Sequence, residues 1–345
     1  MYEHPFQLKS LNTFSVNAFA KSVVTAHHEH TLLKFWRKAY RKGKPVLILG
    51  GGSNILFLEN YSGTILLNRI KGIFITENET AWQLHVGAGE KWDELVVHTI
   101  KKNIPGLENL ACIPGYVGAA PIQNIGAYGV ELSQICEYVD AIDLYSGKKI
   151  RFTCSECDFK YRDSIFRNCL EKYAIVSVGL RLCKKWKPIL DYHELAHLEK
   201  FHITPRQIFN FIYIIRHKKL PDPVLVGNAG SFFKNPIIDI KTARCLFQIY
   251  PNMPYFYQKD GRIKLSAGWL IEYCQLKGYI FGEAAIYPKQ ALVLINSKKI
   301  ATGTEIAALA LYIYNKVADQ FNIYLQPEVR LIGNYGEINP KKLFM

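Results

Sequence analysis

Residues 112–131 have the sequence CIPGYVGAAPIQNIGAYGVE, which is too rich in glycine and alanine for an ordinary buried element. Its glycines are Gly115, Gly118, Gly126 and Gly129. Glycine lets a backbone approach a bulky ligand closely and adopt positive φ, and the amides of such a loop form a concave site for an anion such as a diphosphate. Gln123, Asn124 and Tyr128 add the few polar groups that orient a ring. A loop that merely turns the chain would explain a short motif, whereas a stretch of this length favours a cofactor-binding wall.

A second glycine loop follows a predicted strand nearer the N-terminus. The apolar run PVLIL at 45–49 predicts a buried strand, and a polar glycine loop and a second apolar run, ILFL, come directly after it. A Rossmann dinucleotide site requires Gly-x-Gly-x-x-Gly leading into a helix. Counted from Gly50, the last position is Ile55 and the next segment is strand-like. The pattern therefore excludes a Rossmann unit but keeps the combination of a strand, a glycine loop and an anionic ligand.

Five blocks of sequence occur in a fixed order along the chain. They are LILGGGSNILF at 47–57, the stretch at 112–131, YRDSIF at 161–166, GNAGSFFKNP at 227–236 and QPEVRLIG at 326–333. Together they resemble the motifs of the UDP-N-acetylenolpyruvoylglucosamine reductase family over nearly the whole chain. The long form that contains YRDSIF and KLPDP is similar to the first (type I) of the family's subtypes.

The resemblance implies an α+β fold. Its FAD-binding part would be of the vanillyl-alcohol oxidase type with two subdomains, and a separate α/β domain would bind the substrate. We expect residues 1–70 to form FAD-binding subdomain 1, and residues 71–218, completed by 322–345, to form subdomain 2. Residues 219–321 would form the substrate-binding domain, because two prolines in Leu220-Pro221-Asp222-Pro223 fix an extended connector there.

FAD is the cofactor that the resemblance implies. Some relatives of this fold attach the flavin covalently through a histidine in the first glycine loop, where this chain has Ser53 and Asn54. We therefore expect FAD to be held without a covalent bond. The predicted cofactor-binding residues are Gly50, Gly51, Gly52, Ser53, Asn54, Ile113, Pro114, Gly115, Gly118, Ala119, Gln123, Asn124, Gly126, Ala127 and Tyr128.

The implied reaction reduces an enol ether: the enolpyruvyl group of UDP-N-acetylglucosamine enolpyruvate becomes UDP-N-acetylmuramate, a peptidoglycan precursor. NADPH would supply the hydride through FAD. The resemblance makes Ser231 the proton donor and assigns Arg162 to stabilising the enolate, with Glu328 in a second stabilising or a proton-relay role. Each residue also has an ordinary structural explanation. Ser231 would then bond its own backbone in a turn, Arg162 would pair with Asp163 at the surface, and Glu328 would pair with Arg330.

The resemblance also implies contacts with the diphosphate and sugar of the substrate. The residues at the matching positions are Tyr192, Arg216, Lys219, Asn235 and Gln290. In this subtype a tyrosine on a loop closes over the diphosphate, and the register places Phe256 at that position. Either Tyr255 or Tyr257 could take its place.

Two other function classes compete with the reductase. A flavin oxidase of the same fold, acting on an alcohol or a sugar lactone, would have no evident use for GNAGSFFKNP or PEVR. A basic RNA-binding protein would explain the formal charge of +14. The basic residues are scattered in short groups, however, which favours small anionic ligands, so we expect neither nucleic acid nor a membrane as a partner.

The chain lacks the features of a membrane or secreted protein. No apolar run reaches the roughly 18 residues that a membrane helix requires, and the N-terminus MYEHPFQLKSLN lacks the order of a signal peptide. We therefore expect a cytoplasmic monomer whose eight cysteines are reduced thiols. Cys154-x-x-Cys157 lacks the second pair of a zinc site, and His27-His28-Glu29-His30 is better explained as the start of a helix near Thr31. We predict no metal.

Periodicity and capping signals predict further elements. Helices are expected over 92–100, from Thr204 to Lys218, over 266–275 and after the capping box Thr302–Glu305; strands are expected at 64–68, 82–90, 139–152 with a turn at Ser146-Gly147, 173–183, 291–296 and 327–333.

Overall fold

A computed structural model describes residues 5–192, 194–200 and 202–344. The strands are β1 (Phe6–Gln7), β2 (Phe19–Ala26), β3 (Val46–Leu49), β4 (Ile55–Phe57), β5 (Tyr61–Asn68), β6 (Ile73–Glu77), β7 (Ala81–Gly87), β8 (Gly126–Ala127), β9 (Val130–Glu131), β10 (Cys136–Asp143), β11 (Lys149–Thr153), β12 (Tyr173–Cys183), β13 (Ile237–Ile238), β14 (Tyr255–Tyr257), β15 (Ile263–Leu265), β16 (Ile280–Phe281), β17 (Ala284–Ile286), β18 (Leu294–Ile295), β19 (Arg330–Ile332) and β20 (Glu337–Ile338). The helices are α1 (Glu29–Tyr40), α2 (Trp92–Lys101), α3 (Ile165–Asn168), α4 (Pro205–Lys219), α5 (Ile240–Ile249), α6 (Ala267–Tyr273), α7 (Gly303–Phe321) and α8 (Lys341–Phe344).

The chain forms two compact units. The central unit comprises Ser22–Gly51 and Gly63–Lys218, and the C-terminal unit comprises Met1–Lys21, Gly52–Ser62 and Lys219–Met345. This division cuts the chain differently from the predicted domain ranges, because 1–21, 52–62 and 322–345 all group with 219–321. The functional assignment of those ranges stays a prediction.

The central unit is organised around an antiparallel sheet with the order β11-β10-β12-β7-β6. Consecutive residues are buried along most of β12 and the second half of β10, and Val139 and Val178 are fully buried. Both faces of the sheet are therefore covered there, because successive side chains of a strand point to opposite faces. Trp92 and Leu95 of α2 belong to the core that contains Val139 and Val178. A smaller core joins Leu32 and Trp36 of α1 to the parallel pair of β3 and β5.

The C-terminal unit is built around α7. Its apolar face, including Ile306, Ile313 and Val317, lies in a core shared with Phe232 and Leu331. Strand β19 pairs in parallel with β4 and antiparallel with β20. Two further small antiparallel sheets have the orders β13-β15-β14 and β16-β17-β18.

Most predicted elements are present. The final strand, predicted at 327–333, is limited to Arg330–Ile332, and three further predictions differ. Helix α1 begins at Glu29 and not near Thr31, because His28 is already the extended N-cap residue. Of the predicted strand at 291–296 only Leu294–Ile295 forms a ladder. The predicted loop around Phe256 is the exposed edge strand β14.

Candidate active site

The two glycine-rich segments of the central unit lie against each other. A Cβ atom on Gly51 would come within 3.2 Å of the Tyr116 ring, and one on Gly118 would come within 2.5 Å of the Ala88 Cβ. Gly115 has a φ of 120°, which side chains rarely adopt. Glycine is thus required here for close backbone approach, and the resulting cradle of small residues fits the FAD that the sequence predicts.

Gly52, Ser53 and Asn54 belong to the C-terminal unit. A Cβ on Gly52 would collide with the carbonyl oxygen of Leu11, and its φ is 61°. Asn54 uses its side chain to donate to the Glu328 carbonyl at 3.2 Å. Gly52 and Asn54 therefore have structural roles within this unit. The contact of Gly52, Ser53 and Asn54 with FAD stays a prediction.

Hydrogen bonds fasten the YRDSIF motif and the preceding residue, Lys160, to the predicted cofactor wall. Arg162 Nη2 donates to the Gly126 carbonyl at 2.9 Å, Ser164 Oγ to the Ile122 carbonyl at 2.9 Å, and Asn124 Nδ2 to the Lys160 carbonyl at 3.2 Å. Arg162 is half-buried and reaches the wall. The guanidinium therefore bonds the wall and is not a side chain confined to the surface.

Asn124 is fully buried in a left-handed conformation, with a φ of 45°. Besides the bond to Lys160, its amide donates to Glu131 Oε2 and accepts the Ser133 N–H. The side chain holds the loop in shape, so any contact of Asn124 with a cofactor would come from its backbone.

Tyr128, Tyr192 and Arg216 form a cluster in the central unit. The rings of Tyr128 and Tyr192 meet edge to face with centroids 5.2 Å apart. The Arg216 guanidinium lies near the Tyr128 hydroxyl, Cys112 and Asp93. Burial raises the pKa of Tyr128 and raises the pKa of the Cys112 thiol to about 11. Tyr192 and Arg216, two of the predicted substrate-binding residues, therefore lie next to Tyr128, a predicted cofactor-binding residue.

Ser231 lies on a short backbone bridge in the C-terminal unit. It pairs with Val293, while the next residue, Phe232, donates its N–H to Leu292 and accepts the N–H of Glu328. Ser231 and Glu328 are thus held close in one unit, and both are half-buried. Within the described residues the Ser231 hydroxyl makes no hydrogen bond, so it is not the turn serine of the alternative.

The ordinary structural explanation for Glu328, an ion pair with Arg330, is also not what the structure shows. Arg330 forms its ion pair with Glu337, through Nη2 at 2.7 Å and Nε at 2.8 Å. The Glu328 carboxyl is therefore not a strand-end partner of Arg330. Arg162 belongs to the central unit and the other two predicted catalytic residues to the C-terminal unit, so their convergence stays a prediction.

Two of the remaining substrate contacts meet at the start of α6. Asn235 Oδ1 accepts the Ala267 N–H at 3.0 Å, and a Cβ on Gly268 would lie 3.2 Å from Gln290 Oε1. Lys219 is the exposed last residue of α4. On β14, the rings of Tyr255 and Tyr257 meet edge to face on one side with centroids 5.4 Å apart, whereas Phe256 faces Lys264 on the other.

Buried asparagines that the sequence analysis missed support this region. Asn228 donates to the carbonyls of Pro221 and Val226 and accepts the Gly230 N–H, which fixes the loop before Ser231. Asn296 donates to the Phe14 carbonyl and accepts the Ala301 N–H. Asparagine followed closely by glycine, as in GNAG, is the only local signal for such a role.

No group of three or more His, Cys, Asp or Glu side chains suited to a metal occurs among the described residues, and all eight cysteines are thiols. None of the helices described has the length and apolar character needed to cross a bilayer.

The matches to known families first define the class of protein. The family model of an FAD binding domain matches residues 20–153, so the chain is an FAD-binding flavoprotein, and the predicted cofactor is confirmed. A second model, the C-terminal domain of UDP-N-acetylenolpyruvoylglucosamine reductase, matches residues 222–332. A curated reductase of this name from Blochmanniella floridana is 65% identical over 339 residues, which cover 98% of each chain. The chain therefore belongs to the UDP-N-acetylenolpyruvoylglucosamine reductase family, and is an oxidoreductase.

Other comparisons agree with this result. The proteins of the same name from Salmonella typhi and Escherichia coli K12 are 53% and 52% identical over 333 residues, 96% of this chain and 97% of theirs. The solved structure of the reductase from Thermus caldophilus superposes with a TM-score of 0.64 at 23% identity, covering 95% of this chain and 98% of that one. The latter likeness shows the fold. The predicted family and α+β fold class are confirmed.

Proposed function

We propose that this chain reduces the enolpyruvyl group of UDP-N-acetylglucosamine enolpyruvate to give UDP-N-acetylmuramate for peptidoglycan synthesis. NADPH is the hydride donor and FAD is held without a covalent bond. When bound, FAD takes a hydride from NADPH and passes it to one carbon of the alkene. Family membership supports the substrate, and the match of the C-terminal domain model at 222–332 favours the reductase over the oxidase alternative.

The chain's own residues bind, orient and protonate the substrate in this proposal. Arg162 stabilises the charge that develops on the substrate carboxylate, since a planar guanidinium pairs with two oxygens at once. Glu328 takes part by sharing the hydrogen of the enol, because a bare carboxylate would repel that charge. Ser231 gives its hydroxyl proton to the carbon next to the one that receives hydride. Tyr192, Arg216, Lys219, Asn235 and Gln290 are the proposed contacts with the diphosphate and sugar.

The single observation that carries this mechanism is that Ser231 has a fixed backbone and a hydroxyl group without a hydrogen bond in the described part of the chain. Its backbone is fixed between Val293 and the segment that bears Glu328. Its hydroxyl makes no hydrogen bond among the described residues, so it is available to donate. A loop serine bonded to its own backbone would not be.

The proposal includes where the protein acts and which molecules it binds. The protein acts as a cytoplasmic monomer, with UDP-N-acetylglucosamine enolpyruvate and NADPH as its ligands and without nucleic acid or membrane. Scattered basic residues suit two strongly anionic ligands, since net positive charge speeds their association.

A Ser231→Ala variant tests the assignment in anaerobic stopped-flow experiments. We expect bleaching of the flavin by NADPH at the normal rate, and reoxidation by the enolpyruvyl substrate slowed about 10²- to 10⁴-fold, the usual range for loss of a general acid. Ser62→Ala is the control, because the Ser62 hydroxyl bonds the Asn334 carbonyl in the same unit. Equal slowing of both half-reactions would refute the role of Ser231.

A further inference from the structure

Helix α1 (Glu29–Tyr40) and the turn after it carry a concentrated positive charge. Residues 30–58 contain six Lys and Arg residues and no Asp or Glu. Five of the six lie on α1 or directly after it, and we define them as the basic face: Lys34, Arg37, Lys38, Arg41 and Lys42. All are exposed except Arg37, which is half-buried. In the sequence these cations form short groups, and the helix brings the groups together.

The basic face points away from the core of the central unit. The buried residues of the helix are Leu32, Trp36 and Ala39. At about 100° per residue, Lys34 and Lys38 point to the opposite side of the helix. Lys38 lies about one turn after Lys34, and Arg41 about one turn after Arg37. Like charges are therefore neighbours along the exposed surface.

The protein does not neutralise this charge. None of the five cations forms an ion pair within the described part of the chain. Glu29, the acidic residue of α1, pairs with Lys149 at 2.7 Å. Arg37 Nη2 donates to a neutral group, the Tyr145 carbonyl, at 3.1 Å. The helix dipole favours cations in the last turn, but Lys34 precedes that turn, and like charges four residues apart destabilise a helix. The basic face therefore indicates an anionic partner.

The basic face is separate from the predicted cofactor cradle. Arg41 and Lys42 precede β3, whereas Gly50 and Gly51 follow it. The four residues of this strand span roughly 13 Å. The two sets of residues thus lie toward opposite ends of β3, and the charge of the basic face is not part of the site for FAD.

Two exposed tyrosines lie beside the basic face. Tyr40 is 54% exposed and Tyr145 is 50% exposed. The Tyr40 ring stacks on Trp36 with centroids 4.8 Å apart, and the Tyr145 ring meets both of them edge to face at 5.2 and 5.4 Å. Tyrosines next to arginines are typical of the residues that contribute most to protein–protein binding.

We propose that the basic face of α1 binds an acidic helical segment of a partner protein, an interaction additional to the proposed reaction. Carboxylates one turn apart on a helix repeat at about 6 Å, which is also the spacing of the cations. A single-stranded nucleic acid would stack its bases on open aromatic faces, whereas these rings pack against one another. A membrane would take up the apolar side of an amphipathic helix, and that side of α1 is buried in the core.

Charge reversal on α1 tests the proposal. The probe is a fluorescein-labelled alanine-based peptide of about 20 residues with glutamates four residues apart on one side. Fluorescence anisotropy measures its Kd for the full-length protein. We expect saturable binding that weakens between about 50 and 200 mM salt, because exposed charges are screened. The double variant Lys38→Glu/Arg41→Glu should raise the Kd about tenfold or more, since each reversal turns an attraction into a repulsion. Lys38→Gln/Arg41→Gln should lie between.

A matched control separates the basic face from the net charge. Lys101→Glu/Lys102→Glu makes the same charge change at exposed residues at the end of α2, in the same unit. We expect this variant to bind the peptide like the wild type. Tyr40→Ala should weaken binding at both salt concentrations, because its contact is apolar, whereas Phe74→Ala, at another exposed aromatic residue of this unit, should not.

The outcomes decide between partners. Loss of peptide binding in the α1 variant alone supports the proposal, whereas equal loss in the α1 and α2 variants, or no peptide binding to the wild type, would overturn it. A labelled single-stranded oligonucleotide and vesicles containing phosphatidylserine are the competing probes. If either bound more tightly than the peptide and lost binding in Lys38→Glu/Arg41→Glu, the partner would be of that class and the proposal would be wrong. Thermal melting monitors folding, and flavin reduction by NADPH should proceed at the normal rate in every variant, because the basic face lies outside that site.

Discussion

Arg162 has a backbone conformation that arginine seldom adopts, with a φ of 53°. Such strain persists where the surroundings fix it, and it is common at functional sites. Here Lys160 and Asp163 exchange backbone hydrogen bonds across a tight turn, and the guanidinium reaches the Gly126 carbonyl at 2.9 Å. The turn therefore directs the side chain of Arg162 at the cofactor wall.

We predict that Arg162→Lys keeps FAD bound and impairs the reaction with substrate. Lysine keeps the charge but cannot bond Gly126 and a carboxylate with one rigid fork. Loss of a preorganised donor of this kind typically slows a reaction about 10²- to 10³-fold. Single-turnover reoxidation of NADPH-reduced protein measures the effect, with exposed Arg181→Lys as the control. Turnover equal to the wild type would remove Arg162 from the mechanism.

At the scale of elements, α7 shows how a local signal fixes a helix start. Thr302 Oγ1 accepts the Glu305 N–H at 3.2 Å, and Glu305 Oε2 accepts the Thr302 N–H at 2.8 Å. This reciprocal capping box satisfies two donors that the first turn would leave unpaired. Because α7 packs at the centre of the C-terminal unit, its start also helps to position the rest of that core.

We predict that Thr302→Ala lowers the free energy of unfolding by about 0.5–2 kcal/mol, the usual cost of removing an N-cap side chain. Urea denaturation followed by circular dichroism measures it. Asn315→Ala, on the exposed face of the same helix, is the control and should be neutral or slightly stabilising because alanine has the higher helix propensity. An equal loss of stability in both variants would contradict a capping role for Thr302.

The same element shows what could be predicted from sequence. The capping box of α7 is predicted correctly, because both partners lie within four residues. Strand β12 was predicted at its observed bounds for a similar reason, since its apolar run is long. The order of strands in the central sheet was not predicted, because it depends on pairings between distant segments.

In the candidate site, too, local motifs are predictable from the sequence and contacts between distant segments are not. The resemblance identified Ser231, Arg162 and Glu328 from their motifs, but not what holds them. The bond from Asn124 to Lys160 joins residues 36 apart in sequence, and the bond from Asn54 to Glu328 joins residues 274 apart. No periodicity or spacing reveals such partners, so the supporting asparagines and the surroundings of Arg216 emerge only from the fold.

At the scale of the whole molecule, ionisation links stability to pH. Asp140 on β10 has a side chain only 3% exposed, and Arg151 on β11 bonds both of its oxygens, at 2.7 and 2.9 Å. Ser177 on β12 also donates to it at 2.9 Å. Burial alone would raise the pKa of Asp140, but the hydrogen bonds from Arg151 and Ser177 outweigh it, and the pKa is lowered. One carboxylate thus joins three neighbouring strands of the central sheet.

The lowered pKa fixes the sign of the pH dependence. A carboxyl whose pKa is lower in the folded than in the unfolded state stabilises the fold above its unfolded pKa, about 4 for aspartate. That contribution is lost as the pH falls from about 4 through the folded pKa. We predict that Asp140→Asn is less stable than the wild type at pH 7 and that the difference shrinks below about pH 4.

Tryptophan fluorescence during urea denaturation measures this difference in stability within the central unit. Trp36, Trp82, Trp92 and Trp186 belong to the central unit, and only Trp269 of the five tryptophans belongs to the other. A chain with two compact units can unfold in two steps, and we expect the step reported by these four residues to depend on Asp140. Asp319→Asn, an exposed change on α7, should follow the wild type at every pH. A stability difference between Asp140→Asn and the wild type that stayed constant from pH 7 to pH 3 would show that Asp140 contributes through packing and not through its charge.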